Sequence, residues 1–307
     1  MPPVVNRNSV SGKIFDVANV VMLALFCLTI LYPFWSIVLR SFSSVTQVNA
    51  LGLNVWIDSW QTEGWAYVFN NNAVGRSYLN TLHRVFFGTL LALFVTFTAG
   101  YGLSKQTLPG RSFLTIVFVF TLFFQGGLIP TYLVVRRLGL IDSRWVLILV
   151  PAVNAFMIII SRNFIMAIDK GLEESALIDG AGYWRILVQI MVPLSKPLIA
   201  VLALFAAVQH WNSWFDALIY VNDRAKRVLQ LLIQDLLHEL TIAQTDEFIA
   251  ELMEEMQQNE ELRELLQIPP QAAQAATILI TIGPIIFVYP FVQKYFVKGV
   301  MLGSIKG

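Results

Sequence analysis

The densest collection of side chains able to bind a ligand lies at Gln209-His210-Trp211-Asn212-Ser213-Trp214-Phe215-Asp216, inside an otherwise apolar run. Polar groups at membrane depth are costly unless they face protein or water, so this density calls for a reason. Trp211, Trp214 and Phe215 fall three and four apart, a spacing that places them on one face of a helix. Aromatic faces of that kind stack on the apolar faces of sugar rings, and His210, Asn212 and Asp216 offer hydrogen bonds to hydroxyls. The plainer reading is an interfacial aromatic belt near the end of a span. That reading accounts for the tryptophans but not for His210 and Asn212 a turn deeper. Asp216 suits a structural pair with an arginine equally well. Gln125, followed by Gly126, Gly127 and Pro130, interrupts another apolar run, and such breaks are tolerated where protein or a water-filled cavity meets the freed backbone groups. It is a second candidate for lining a cavity.

Other chemistry is excluded by composition. Of the 307 residues 56% are hydrophobic and only 13% charged, against roughly a quarter charged in ordinary soluble domains, which marks a membrane protein. The net charge of +1 leaves no nucleic-acid footprint. Cys27 is the only cysteine, so neither an internal disulfide nor a cysteine-based zinc site is available. His83, His210 and His238 form no ligand pair at helical spacing, so no metal site is expected. No Gly-x-x-x-x-Gly-Lys-Ser/Thr segment occurs, so the chain lacks a nucleotide-binding loop and no residue is assigned a catalytic role.

A polar island separates two apolar runs at Gly171-Leu-Glu-Glu-Ser-Ala-Leu-Ile-Asp-Gly-Ala-Gly-Tyr-Trp-Arg. Glu173 and Glu174 fall in the first turn of a short helix, where carboxylates suit the positive end of the dipole. Gly180 and Gly182 stop that helix. Trp184, Leu187 and Met191 then give a second helix one apolar face, and Pro193 and Pro197 end it. The pattern fits a helix pair lying on the membrane surface or a docking element for a soluble partner. Glu174-Ser175-Ala176, Asp179-Gly180-Ala181 and Pro193 resemble the EAA loop of bacterial ABC importer permeases, with Ser175 where the usual pattern has alanine. The resemblance implies a coupling helix seated in a cleft of a cytoplasmic ATPase, with Glu173, Glu174, Ala176, Asp179, Gly180, Ala181 and Trp184 at the contact.

These elements require an all-α, polytopic membrane fold. Apolar runs at about 14–39, 78–103, 113–135, 145–160, 198–221 and 272–296 predict six spans, the first too long for a signal-peptide core. The expected organisation is a tail at 1–13, a transmembrane domain at 14–298 and a tail at 299–307. The coupling loop occupies 164–197 of that domain, and an extracytoplasmic acidic segment occupies 223–268. Trp56, Trp60 and Trp65, in the mixed loop after the first span, suit a headgroup interface. Placing the N-terminus inside puts seven of eight lysines on the cytoplasmic side, although Arg136, Arg137, Arg144, Arg224 and Arg227 fall outside. The stretch from Asp223 to Gln267 carries eleven carboxylates and reads as a solvated outer helix or as a lip that contacts an external protein.

The resemblance widens with Trp211-Asn212-Ser213-Trp214-Phe215, the Phe124-to-Tyr132 segment and Tyr289-Pro290-Phe291-Val292-Gln293-Lys294-Tyr295-Phe296-Val297-Lys298-Gly299. All three are similar to carbohydrate-uptake permeases related to the maltose importer, in particular the lipoprotein-associated polysaccharide permease subgroup. The likeness covers the chain from about Phe15 to Gly307. It implies a bacterial plasma-membrane protein with both termini cytoplasmic, paired with a second, similar permease. Two ATPase subunits would bind ATP and Mg, leaving no cofactor in this chain, and an extracytoplasmic solute-binding lipoprotein would deliver an oligosaccharide. A permease for a non-sugar solute is the alternative. A secondary transporter would need more ionisable residues in its spans than His83, Arg84, His210 and Asp216. A membrane scaffold would leave the glycine-hinged loop unexplained.

Overall fold

The computed structural model describes residues 10–44, 47, 55–242 and 271–286, and every regular element among them is helical. The remainder of the acidic segment beyond 242, the Tyr289-to-Gly299 motif and both tails lie outside the described residues, apart from 10–13 of the first tail. The described chain forms two compact units, one from residues up to Asn71 with Leu236–Ile280, the other from Asn72–Asp235 with Thr281 onward.

In the first unit, α1 (Val10–Ser41) is apolar on all sides and, from Ile14 to Leu31, exposed within the chain. A helix without a polar face needs lipid or protein around it. Helix α2 (Glu63–Asn70) packs through Gly64 on the start of a later helix, Gln271–Ile286. A Cβ on Gly64 would lie 2.8 Å from the carbonyl carbon of Ala272. Ala272 and Ala273 at the contact are buried, the small-residue packing by which helices associate in lipid, and Ala275 and Ala276 further along the same helix are buried too. Phe42, Trp65 and Phe69 stack in series at 5.5 and 6.0 Å, and Trp60 tilts against Phe42. Trp35 donates to the Val55 carbonyl. Trp56 and Trp60 keep 65% and 49% of their surface exposed, while Trp65 is drawn into the ring series.

The second unit is built on α3 (Asn72–Ser104), which packs against both α7 (Ala155–Met166) and α10 (Lys196–Asn212). Between α3 and α7 come α4 (Arg111–Phe123), α5 (Leu128–Arg137) and the short α6 (Val146–Leu149). Gly100 lets α7 close on α3, since a Cβ there would stand 2.5 Å from Ser161 Oγ. The predicted break at Gln125-Gly126-Gly127 is present. Helix α4 stops at Phe123, Gly127 takes φ 85°, and Pro130 sits in the first turn of α5, where its missing N–H is harmless. The fourth span is likewise interrupted. A 3₁₀ turn at Val150–Ala152 meets α7 at 51°, and Asn154 caps α7 by accepting from Met157 N at 3.1 Å.

By length and composition, two described helices can cross a membrane alone, Gly12–Ser41 and Asn72–Ser104. The count rises to four if each bent pair is one span. The expected third span is two short helices, and only 271–286 of the expected sixth is described.

At the end of this unit where α3 begins, one loop joint is made by Asp142. Its backbone takes φ 59°, its N–H donates to Tyr220 O at 2.8 Å, and its carboxylate accepts from the N–H groups of Asn222 and Asp223 at 2.6 and 2.8 Å. Those bonds, that from Asp223 foremost, hold its carboxyl below the usual aspartate range. Asn80 of α3 donates to the carbonyls of Ala225 and Arg227, tying the same loop to the central helix.

Candidate functional site

The aromatic and polar cluster sits at a corner. Helix α10 ends at Asn212, Ser213 is extended, and α11 (Phe215–Tyr220) starts a new direction. The expectation of one helical face bearing Trp211, Trp214 and Phe215 is therefore corrected, because the helix breaks between them. Trp211 is 5% exposed, edge-on to Tyr78 at 5.9 Å, and donates from Nε1 to the Thr281 carbonyl at 3.2 Å. His210 is also buried, its ring filling the space above Gly88, where no Cβ would fit. Asn212 and Phe215 are exposed, with Trp214 half-buried and edge-on to Phe215. Gln125 is exposed at the α4–α5 break. The structure thus divides the cluster, two members packed inside and three presented at the corner.

Asp216, for which a hydroxyl or an arginine partner was open, meets Arg84. The Arg84 Nη1 donates to Asp216 Oδ1 at 3.1 Å and to the Ser213 carbonyl at 2.9 Å, while Nη2 pairs with Asp216 Oδ2. Ser213 Oγ and Ala217 N both donate to Asp216 Oδ1 at 2.9 Å. One guanidinium thereby satisfies a carbonyl left over where α10 ends and anchors the first turn of α11, holding both sides of the break. The Arg84 side chain is 3% exposed. Sequence reasoning did not assign Arg84 a site role, although the signal was present, a basic residue in one apolar run and an acidic one in another.

The polar island folds as a tight helical hairpin. Asp169 caps α8 (Lys170–Ile178) by accepting from Gly171 N at 2.9 Å. At its other end Ala181 N donates to Ala176 O at 2.9 Å and Gly180 N to Leu177 O at 3.0 Å, with Gly180 at φ 81°. This nested pair of bonds closes the helix and needs a left-handed residue at its turn, which glycine supplies without a Cβ clash. Ala176 and Ala181, the two ends of the closure, pack on a core of Phe97, Tyr101, Ile165, Ile186, Leu187 and Met191. Helix α9 (Tyr183–Leu194) follows, with a π-helical stretch at Leu187–Met191, and turns 85° into α10.

Two details of the hairpin differ from expectation. The buried face of α9 is Ile186, Leu187 and Met191, whereas Trp184 is 61% exposed and touches Phe94 only edge-on. Position 184 precedes Leu187 by three residues, but it lies in the first turn of α9, and the buried residues of that helix begin only at Ile186. Glu173 does not stand free in the first turn. It pairs with Lys105 and accepts from the Tyr101 hydroxyl at 3.2 Å, while Lys105 Nζ lies 3.8 Å from the Tyr101 ring centre. Glu174, Asp179 and Gly180 are exposed, together with Ile178 at 87% and Tyr183 at 54%. Beside them Lys105, Glu173, Glu174, Leu177, Tyr183 and Met191 line a cleft of about 240 Å³. Among the described residues no group of three His, Cys, Asp or Glu side chains forms a cation site.

No family model matches the chain. It is 38% identical over 304 residues to the protein named LplC of Bacillus subtilis (strain 168), covering 98% of each chain. It is 37% identical over 296 residues to the polygalacturonan/rhamnogalacturonan transport system permease protein YtcP of the same organism, covering 96% of this chain and 99% of that one. Among solved structures it matches a chain of a bacterial ABC transporter involved in the import of the acidic polysaccharide alginate. That match has a TM-score of 0.82 and 32% identity, and covers 96% of this chain and 100% of the other. Full-length likeness at this level, on a frame whose described elements are all helical, places the chain in the carbohydrate-uptake family of ATP-binding-cassette importer permeases.

Proposed function

We propose that this chain forms one half of the translocation pore of a bacterial plasma-membrane importer, with six spans and both termini in the cytoplasm, and passes an oligosaccharide delivered by an extracytoplasmic solute-binding lipoprotein. The other half is a second, similar permease. ATP and Mg are bound and hydrolysed by two separate ATPase subunits. The hairpin of α8 and α9 is the part that meets them, through Glu174, Asp179, Gly180, Trp184 and the side chains around them, with Glu173, Ala176 and Ala181 seating it on its own chain. On the other side of the membrane Asn212, Trp214 and Phe215 line the sugar path, with Gln125 at the α4–α5 break. His210, Trp211 and Asp216 hold the corner from behind.

The observation that supports this reading best is the hairpin itself. A helix capped at Asp169, closed at Gly180 and seated through two alanines presents Ile178, Tyr183 and Trp184 outward, which is unfavourable for apolar side chains unless a partner covers them. A polygalacturonan/rhamnogalacturonan permease among the relatives and an alginate importer among the structures favour a polysaccharide-derived substrate. The test is a panel of oligogalacturonides, alginate oligomers, arabino-oligosaccharides, peptides and phosphonates offered to the associated binding protein by calorimetry. Uptake of the best ligand is then measured in proteoliposomes holding the full complex. Binding and ATP-dependent uptake of a glycan are expected. Selective uptake of a peptide or a phosphonate would replace the sugar reading with the non-sugar alternative.

A further inference from the structure

Helix α3 is attached to both functional ends of its unit. Its 33 residues make a rod about 50 Å long. Just past its C-terminal end, Lys105 pairs with Glu173 in the first turn of α8, with side chains only 16% exposed, and lies over the Tyr101 ring of α3 itself. Twenty-one residues earlier, about 30 Å along the rod, Arg84 grips both sides of the α10–α11 corner. One turn further on, Gly88 admits the His210 ring, and Gly100 admits Ser161 of α7. The hairpin and the corner are also joined through the chain itself, but that route passes the π stretch of α9 and an 85° bend, both poor conductors of a rigid displacement.

We infer that α3 is the element that carries movement of the α8–α9 hairpin to the pore corner, and that Lys105 and Arg84 are the positioning residues at its two attachments. The inference rests on the reading of the hairpin as the ATPase contact. Both ion pairs also hold the fold at their own place, Arg84 across the α10–α11 break and Lys105 at the start of α8. Ser213 and the Asp216 bond from Ala217 N shape the α10 end and the α11 start as well. What the pairs add is directional stiffness, since Arg84 makes three aligned bonds and Lys105 is fixed by a carboxylate and a ring together. Lysine at 84 would keep the charge but lose the fork that bridges Ser213 and Asp216.

Because Cys27 is the sole cysteine of this chain, a Cys27→Ser background with Asn212→Cys gives the chain a single reporter on the exposed corner, read on its own band apart from the other subunits. The assembled importer in proteoliposomes is treated with a membrane-impermeant maleimide with and without ATP, so no transported ligand is required. The parent is expected to change its labelling rate severalfold on ATP binding. Lys105→Met and Arg84→Lys should each abolish most of that response while basal ATP hydrolysis stays within about twofold of the parent. Coupling free energies of 1–3 kcal/mol correspond to responses of roughly 5–150-fold, a range the assay reads. Lys105→Arg, which keeps a cation for both Glu173 and the Tyr101 ring, should keep the response.

A response that persists in both single variants overturns the inference, as does a parent with no response to ATP or a Lys105→Arg variant that loses it. Gly180→Val in the same background separates the two levels. If it abolishes the response while Lys105→Met and Arg84→Lys do not, the hairpin reading stands and α3 is not the transmitter. If the response survives Gly180→Val as well, the hairpin reading itself falls.

Discussion

Gly88 shows how much one missing methyl group can decide. The His210 ring occupies the place a Cβ would take, so Gly88→Ala must push α10 off α3 or force the imidazole from its rotamer. Overpacking of that kind costs about 1–3 kcal/mol. Thermal unfolding in detergent should show Gly88→Ala less stable than the parent, and Gly88→Ala with His210→Ala largely recovered. An undiminished single variant would mean that the two helices have slack there. Asp142 makes a different kind of joint, a carboxylate held by backbone N–H groups. Its folded pKa is depressed, so the stability it contributes is fully present above the ordinary aspartate value of ~3.9 and fades as pH falls through the lower folded value. Asp142→Asn should flatten that part of the acid-unfolding profile and leave stability near pH 7 the less affected the more the neutral amide can accept the same bonds. An unchanged acid limb would remove Asp142 from the account.

At the scale of the element, the hairpin is the unit to test. Gly180 sits at φ 81° with open space around it, so the constraint is purely conformational. A β-branched residue held there costs on the order of 1–3 kcal/mol, and the closure of α8 would be lost first because it relies on that turn. Gly180→Val is expected to leave expression and membrane insertion intact while transport and substrate-stimulated ATP hydrolysis fall together by about tenfold, a coupling loss of about 1.4 kcal/mol. Gly182→Ala is the control. Gly182 has φ −72° and nothing within 4 Å of a Cβ, so it should behave like the parent. Normal uptake by a well-expressed Gly180→Val variant would remove the hairpin from the coupling scheme.

At the scale of the whole molecule, what stands out is how much apolar surface the chain leaves uncovered. Helix α4 has no buried residue, and Phe113, Ile116, Phe120 and Phe123 are each more than half exposed. Lipid covers part of such a surface, but under the function proposed above a pore with two ATPase subunits needs two coupling loops, and this chain would supply one. Co-expressing this chain with the ATPase and binding protein but without a second permease should yield little ATP-dependent uptake. Full transport from that set would establish a symmetric pore made of two copies of this chain.

The sequence by itself determined the broad plan for a physical reason, since lipid solvates no backbone polar group and therefore turns apolar runs into helices. The breaks at Gly127 with Pro130 and at Gly180 were legible because glycine and proline act locally, through φ and through a missing N–H. The motif of the polar island was legible for the same reason, its caps and closure all lying within a dozen residues. Which aromatic is presented at the corner and which is packed in the core was decided only by the tertiary structure. A helical period assumed to run through Ser213 put Trp211, Trp214 and Phe215 together, but Arg84, more than a hundred residues away, holds the chain bent at that point. Trp184 was misplaced because spacing does not say how far along α9 the core reaches, and Glu173 acquired Lys105 only when the end of α3 came beside α8. Local stereochemistry can be read residue by residue. Partnership between distant charges depends on which helices pack, and that is set by close approaches at single glycines such as Gly88 and Gly100.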